Sequence, residues 1–385
     1  MRKIFFILLA IVLQMSIACT ETEGSGKDEL SVSPKLLYFT CAETNAKTVS
    51  VTTDLDNWVA TPDAGWIKVE KASGGKTFSV TVDANRLEEE RFGKIVVRAG
   101  TQSASISVIQ EQWEIPETIK ILAIGNSFSD DVVEQELHGL FAGVGQKVII
   151  GDAYVAGCPL KKHNTNAKSD AATYSYRKIV DGVKKTTAST KLSTIMADED
   201  WTYISLQEGA GYHGFYNTTY KGTYHSMEPD LTDMINYVKA KCPNAKLIYH
   251  APWAAQKDYK EVKFSYYGYD QDVMYKMIIS ATQEVLKAHP EFVIYMNVMD
   301  AIQNLRSSYI GDNVTRDGWH LNYTVGRYTA SCLWYEKIMG QSVVGNPYRP
   351  TTISESEAKL CQTAAHEAVK NPYTTTDLSN FEKTK

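Results

Sequence analysis

Two short segments at opposite ends of the chain's second half hold the residue types that acyl transfer requires. The first is Gly125-Asn126-Ser127-Phe128-Ser129, followed by Asp130 and Asp131; the second is Asp317-Gly318-Trp319-His320-Leu321-Asn322. A serine hydroxyl attacks an ester only when a base takes its proton, and an imidazole serves as that base when a carboxylate fixes its tautomer and steadies its charged form. Only Gly318 and Trp319 separate Asp317 from His320, so one turn can set the carboxylate against the ring nitrogen that faces away from Ser127. Each segment has an ordinary reading as well: serine caps helices, and Asp-Gly makes turns. The order Ser, Asp, His across one α/β pattern turns the pair into a catalytic expectation, with Ser127 as nucleophile, His320 as base and Asp317 behind it.

The elements that must position these residues follow from hydrophobic periodicity. Ile119 to Ile124, Lys147 to Ile150, Trp201 to Leu206, Leu247 to His250 and Phe292 to Val298 are nearly continuous apolar runs, as strands buried on both faces should be. Helical periods lie between and after them, at Asp131 to Phe141, Ala172 to Lys184, Pro229 to Cys242, Gln271 to His289, Tyr323 to Ile338 and Glu355 to Val369. The alternation predicts a parallel sheet with helices on both faces and ligands beyond the carboxyl ends of the strands. Ser127 would then stand at a strand-to-helix turn, where the positive helix end favours the oxyanion formed after attack. Lys161-Lys162-His163 reads as a solvated turn.

The first half has a different grammar. Leu36 to Phe39, Thr48 to Thr52, Phe78 to Val82, Lys94 to Val97 and Ala104 to Val108 alternate with period two and predict a β-sandwich. Ahead of it, Arg2 and Lys3 precede an apolar run from Ile4 to Leu13, about half of the roughly 20 residues that span a bilayer, and Ser16-Ile17-Ala18 leads into Cys19. The expectation is a cleaved lipoprotein signal over residues 1–18, an acylated Cys19 holding the chain to the outer membrane, and a polar tether over 19–29. Beyond it come a sandwich over 30–112, a linker over 113–118 marked by Pro116, an α/β domain over 119–372 and a tail over 373–385.

Composition narrows the partners. The 385 residues are 43% hydrophobic and 22% charged with a formal net charge of -5, so nothing draws the chain to nucleic acid. Twenty-three tyrosines and seven tryptophans supply flat faces suited to sugars or to packing. Cys41, Cys158, Cys242, Cys332 and Cys361 show no zinc spacing, and neither metal nor cofactor is expected.

The Gly125-Asn126-Ser127 turn and the Asp317 to His320 block, in that order and context, resemble the first and last blocks of the SGNH (GDSL-like) hydrolases. Together with the Leu206-Gln207-Glu208 strand end, they are most similar to a poorly characterised SGNH-like branch common in Bacteroidetes. The resemblance implies a flavodoxin-like three-layer α/β/α domain and a serine esterase. It also implies a glycine N–H in the oxyanion hole, which Ala156-Gly157-Cys158-Pro159 can offer through Gly157. The family's third block has an asparagine amide where this chain has Ser205-Leu206-Gln207-Glu208-Gly209, and Gln207 carries the same amide on a longer stem. Losing one such donor slows an enzyme about a hundred- to a thousandfold without abolishing it. Tyr212, His250, Trp253 and Trp319 are the expected substrate contacts around the crevice.

In the first half, Ser31-Val32-Ser33-Pro34, Trp58, Trp66-Ile67, Asn85, Arg91-Phe92-Gly93 and Val108-Ile109-Gln110 resemble the BACON module of Bacteroidetes proteins, which implies an Ig-like sandwich with a carbohydrate- or mucin-binding role. A rigid spacer fits the same residues, with Trp58 and Trp66 in its core. The combined expectation is an exported serine esterase that deacetylates an acylated carbohydrate. The alternatives are an esterase or lipase for small esters free of sugar, and a surface lipoprotein that binds glycans without catalysis.

Overall fold

The computed structural model describes residues 30–382 apart from 42–45, 73–74, 86, 88, 113–114, 210 and 218–225. The expected signal, Cys19 and Trp113 lie outside the described residues. Strands β1 (Ser31–Ser33), β3 (Lys47–Thr52), β6 (Thr77–Val82) and β5 (Ile67–Lys71) form one sheet in that order. A second sheet runs β2 (Leu36–Phe39), β8 (Gln102–Gln110), β7 (Arg91–Ala99), β4 (Val59–Pro62). Side chains alternate along each strand, and the inward set, including Phe39, Val49, Phe78, Val80, Ile95, Ile106 and Val108, closes one core. Trp58 is in that core and donates to the Gly75 carbonyl, whereas Trp66 is half-buried beneath the Arg91 guanidinium. Asn85 is buried and ties the carbonyls of Glu89 and Glu111 together.

The second half contains β9 (Thr118–Gly125), α1 (Ser127–Val133), α2 (Leu137–Gly143), β10 (Lys147–Tyr154), α3 (Leu160–Ser169), β11 (Tyr174–Val180), β12 (Val183–Thr190) and α4 (Leu192–Met196). It continues with β13 (Tyr203–Leu206), α5 (Asp230–Lys241), β14 (Lys246–Ala251), α6 (Val262–Ser265), α7 (Gln271–Ala288), β15 (Phe292–Asn297), α8 (Val298–Ser307), α9 (Val325–Met339) and α10 (Glu355–Lys370). The sheet order is β12-β11-β10-β9-β13-β14-β15, with β10, β9, β13, β14 and β15 mutually parallel. Counting the parallel strands alone, the order is 2-1-3-4-5, so winding reverses beside β9. At such a switch point the loops leaving neighbouring strands diverge and open a crevice. Ser127 follows β9 and Gln207 follows β13, so both segments border that opening.

Helix α9 is buried along its whole length, packed among α1, α2, α8 and α10, while α3 packs with α4 and α5. The five parallel strands fall where their apolar runs predict. Three local expectations differ. The helix expected over Ala172 to Lys184 is the antiparallel hairpin β11–β12, turned by Asp181 and Gly182, both at positive φ. That pair matches the twist of flanking strands, and it outweighs the apparent helical spacing of the apolar residues. Lys161, Lys162 and His163 belong to α3, with His163 buried against the Tyr174 hydroxyl at 3.0 Å. Finally, the single helix expected over Asp131 to Phe141 is two, α1 and α2, separated at residues 134–136, and the first starts at Ser127 because the Asn126 side chain caps it by accepting from the Phe128 N–H.

Candidate active site

Gly125 ends β9 in a tight place. A Cβ there would lie 2.6 Å from Ser129 Oγ and 2.8 Å from the Gln207 amide carbon, so only glycine fits. Asn126 follows in extended conformation and pins three segments at once. Its Oδ1 accepts from Phe128 N–H at 3.0 Å and from Gln207 Nε2 at 2.8 Å, and its Nδ2 donates to the Cys158 carbonyl at 3.0 Å. The sequence reading gave Asn126 no role; its signal was a helix-capping residue directly before Ser127.

The structure brings Ser127, His320 and Asp317 together. Ser127 Oγ is 2.9 Å from His320 Nε2, and His320 Nδ1 is 2.7 Å from Asp317 Oδ2. The other carboxylate oxygen of Asp317 accepts the N–H groups of Trp319 at 3.0 Å and His320 at 2.7 Å. Partial burial works against its charge, but these backbone donors and the imidazole outweigh it and hold the carboxyl below the usual range. Gly318 supplies the positive φ of +83° that the turn needs, and a Cβ there would strike the Tyr259 ring at 2.6 Å.

Aromatic rings brace this loop from behind. Phe128 stacks on Trp253 at 4.3 Å and meets Trp319 edge-on at 5.6 Å and His320 at 5.9 Å. Trp253 Nε1 donates to the Trp319 carbonyl at 2.8 Å, and Trp319 stacks on Tyr259 at 5.2 Å. Trp253 and Trp319 are therefore buried supports, which corrects their expected role as substrate contacts. Large flat rings bury the most apolar area per residue, and at this crevice that gain is taken inside. His250 is corrected in the same way, being fully buried edge-on against Trp334. Tyr212 alone of the four stays half-exposed, stacked with Tyr266 at 6.2 Å.

The oxyanion donors divide similarly. Gly157 sits at φ +59° in the exposed turn closed by Cys158 N–H on the Val155 carbonyl, with open space around it. Ser127 N–H stands in the first turn of α1, where backbone donors have no intrahelical partner. Gln207 is buried and gives one N–H of its amide to Asn126 Oδ1 at 2.8 Å, which ties the end of β13 to the turn before Ser127. The longer stem folds back under the Gly125-Asn126-Ser127 turn.

One grouping with metal-ligand spacing occurs among the described residues: Asp130, Glu134 and Asp152, whose carboxylate oxygens lie within 4.8 Å of one another. Arg177 Nη1 already sits 2.6 Å from Glu134 and 3.3 Å from Asp130, with Lys184 at 2.9 Å from Glu134. Complete burial, then the charge of Glu134, raises the Asp152 carboxyl well above its usual range. Arg327 adds a third cation, 3.1 Å from Asp130, so these carboxyl groups are already partnered by side chains of the fold.

Burial of imidazoles yields a prediction about stability. Burial pushes His163 down to about 4 and His250 down to about 3, and it pushes His213 well below its usual value, with His250 adding to the effect. These rings stay neutral in the fold, while in the unfolded chain each takes up a proton as pH falls through about 6.5. Their contribution is thus intact above pH 7 and declines below it, by about 1.4 kcal/mol per pH unit for each ring, until the folded-state value is reached. Thermal midpoints should drop steeply between pH 6 and 4, and His250→Leu should flatten the slope. Midpoints that hold constant over this interval would contradict the reading.

Residues 120–368 match the family described as a domain of unknown function (DUF4886), and residues 56–111 match BACON, described as a putative binding domain, N-terminal. A solved DUF4886 family protein from Bacteroides uniformis is 37% identical, covers 69% of this chain and 100% of its own, and superposes with a TM-score of 0.65. A protein from Bacteroides thetaiotaomicron solved by NMR is 15% identical over 26% of this chain and 100% of its own, with a TM-score of 0.21. A carbohydrate esterase family 2 enzyme plus carbohydrate binding domain from Corynascus thermopiles (Myceliophthora fergusii) is 10% identical over 89% of this chain and 90% of its own, with a TM-score of 0.29. The last two scores are too low to bear on fold or function. No curated protein matches the chain.

Proposed function

The chain belongs to the DUF4886 family and carries a BACON domain ahead of it, and we propose that the α/β domain is a serine esterase of the SGNH type with the flavodoxin-like strand order. The observation that carries this reading is the unbroken relay from Ser127 Oγ to His320 Nε2 at 2.9 Å and from His320 Nδ1 to Asp317 Oδ2 at 2.7 Å. With Nδ1–H given to Asp317, Nε2 accepts the Ser127 proton as the oxygen attacks the ester carbonyl. The N–H groups of Ser127 and Gly157 receive the oxyanion, and His320 returns the proton to the departing alcohol. Water then attacks the acyl-enzyme by the same route in reverse order, releasing the acid.

The proposed substrate is an acylated carbohydrate. Beside Asp317 lies an open groove of about 560 Å³ whose lining includes Gln256, Asp258, Tyr259, Lys260, Asn313 and Thr315. Amides, charges and hydroxyls at this density suit a hydroxyl-rich alcohol better than a long acyl chain. We further propose export and anchoring to the outer membrane through Cys19, on the signal-like residues 1–18. The second reading, a glycan-binding lipoprotein without catalysis, is favoured by one observation: the third-block amide of Gln207 is buried against Asn126.

A fluorophosphonate probe should form one adduct, on Ser127, and the enzyme should release acetate from acetylated sugars faster than acid from simple nitrophenyl esters. Absence of an adduct in folded protein would leave the binding reading standing. Faster turnover of the simple esters would favour a small-ester esterase.

A further inference from the structure

Ser127 and His320 sit on separate elements, so their 2.9 Å approach depends on what fastens the loop of residues 315–322 to α1. Loops move more than the scaffold they leave, and a shift of about 1 Å at a reacting pair costs on the order of a hundredfold in rate. Phe128 packs on the loop from α1, and the hydrogen bonds that fasten its flanks to the helix are concentrated on one side chain. Asp131 lies one helical turn beyond Ser127 and is fully buried. Its Oδ2 accepts Leu321 N–H at 2.7 Å; its Oδ1 accepts Arg316 Nη1 at 2.9 Å and Arg327 Nη2 at 2.5 Å.

Arg316 immediately precedes Asp317, and Leu321 immediately follows His320. One carboxylate therefore grips both flanks of the Asp-His turn. The loop is closed on itself as well, by Arg316 N–H on the His320 carbonyl at 2.9 Å and by a bridge between Thr315 and Leu321. Once Asp131 holds the flanks, the whole turn is carried as a rigid extension of the nucleophile's own helix. Buried hydrogen bonds to a charged acceptor are the strong kind, and such bonds placed behind the reacting groups lock catalytic geometry.

Resting on the esterase reading above, we infer that Asp131 is a positioning residue that sets the distance between Ser127 and His320. A carboxylate is needed because both of its oxygens must accept. Asparagine in its place turns an NH2 group toward either the Leu321 N–H or the guanidinium groups, and one attachment is lost.

Asp131→Asn is tested with 4-nitrophenyl acetate as probe, alongside Asp130→Asn, which removes the neighbouring carboxylate that shares Arg327 without reaching the loop. Asp131→Asn should lower kcat about a hundredfold with KM nearly unchanged, and Asp130→Asn should stay within about twofold of the parent. In a His320→Ala background, Asp131→Asn should cost nothing further, because its effect passes through the imidazole. Full kcat in Asp131→Asn, an equal loss in Asp130→Asn, or a loss that multiplies with that of His320→Ala would overturn the inference. If His320→Ala itself leaves the rate unchanged, or the parent cleaves no ester, the esterase reading falls instead. The position is then decided by a crystal structure of Asp131→Asn, in which His320 should move out of hydrogen-bonding reach of Ser127; an unmoved ring overturns it.

Discussion

Ser127→Ala is expected to lower kcat for an activated acetyl ester by about 10⁵- to 10⁶-fold and to abolish fluorophosphonate labelling, with circular dichroism unchanged. On the proposed esterase reading, the magnitude follows from what the hydroxyl does. Without it there is no acyl-enzyme, and hydrolysis must proceed by direct attack of water, helped only by the remaining backbone N–H donors and by substrate binding. The substitution should leave the fold intact. Ser127 stands at the first position of α1 with a half-buried side chain, while the cap that starts the helix belongs to Asn126. Retention of more than about 1% of parental kcat by Ser127→Ala would remove serine chemistry from consideration.

Asp317→Asn is expected to lower kcat about 10⁴-fold. In the parent, one carboxylate oxygen accepts two backbone N–H groups and the other faces His320 Nδ1 at 2.7 Å. An asparagine keeps the backbone contacts with its carbonyl oxygen and therefore points its NH2 at the ring. Nδ1 must then be the acceptor, which leaves the proton on Nε2, facing Ser127. The geometry survives and the base is lost. A crystal structure should show the ring in place, while kinetics show the collapse; activity above about a tenth of the parent would mean that Asp317 does not govern the tautomer.

Much of this was legible in the chain. The parallel strands show as apolar runs because burial on both faces leaves no polar positions, and the sandwich strands show as period-two alternation because one face meets a core and the other meets water. The pairing of Ser127 with the Asp317 to His320 block was readable from residue types and chain order, although that block lies between α8 and α9 and not at a strand end, so packing delivers it to Ser127. The hairpin at Asp181-Gly182 was also announced by its turn residues, and helical spacing of the surrounding apolar groups concealed it.

Direction of side chains was not legible. Trp253, Trp319 and His250 stand on segments bordering the crevice, yet their rings pack inward behind Phe128 and Trp334, where close packing stabilises them more than an open groove would. The bond from Gln207 to Asn126 could not be read from the chain, and Asp131 looked like an ordinary acidic residue of a helix's first turns until its three donors from distant segments were in view. Which elements form, and which rim they share, follows from local pattern, because periodicity and turn chemistry act over a few residues. Which side chains face the substrate and which brace those that do is decided only when the elements pack, because orientation at a crevice depends on neighbours supplied from elsewhere in the chain.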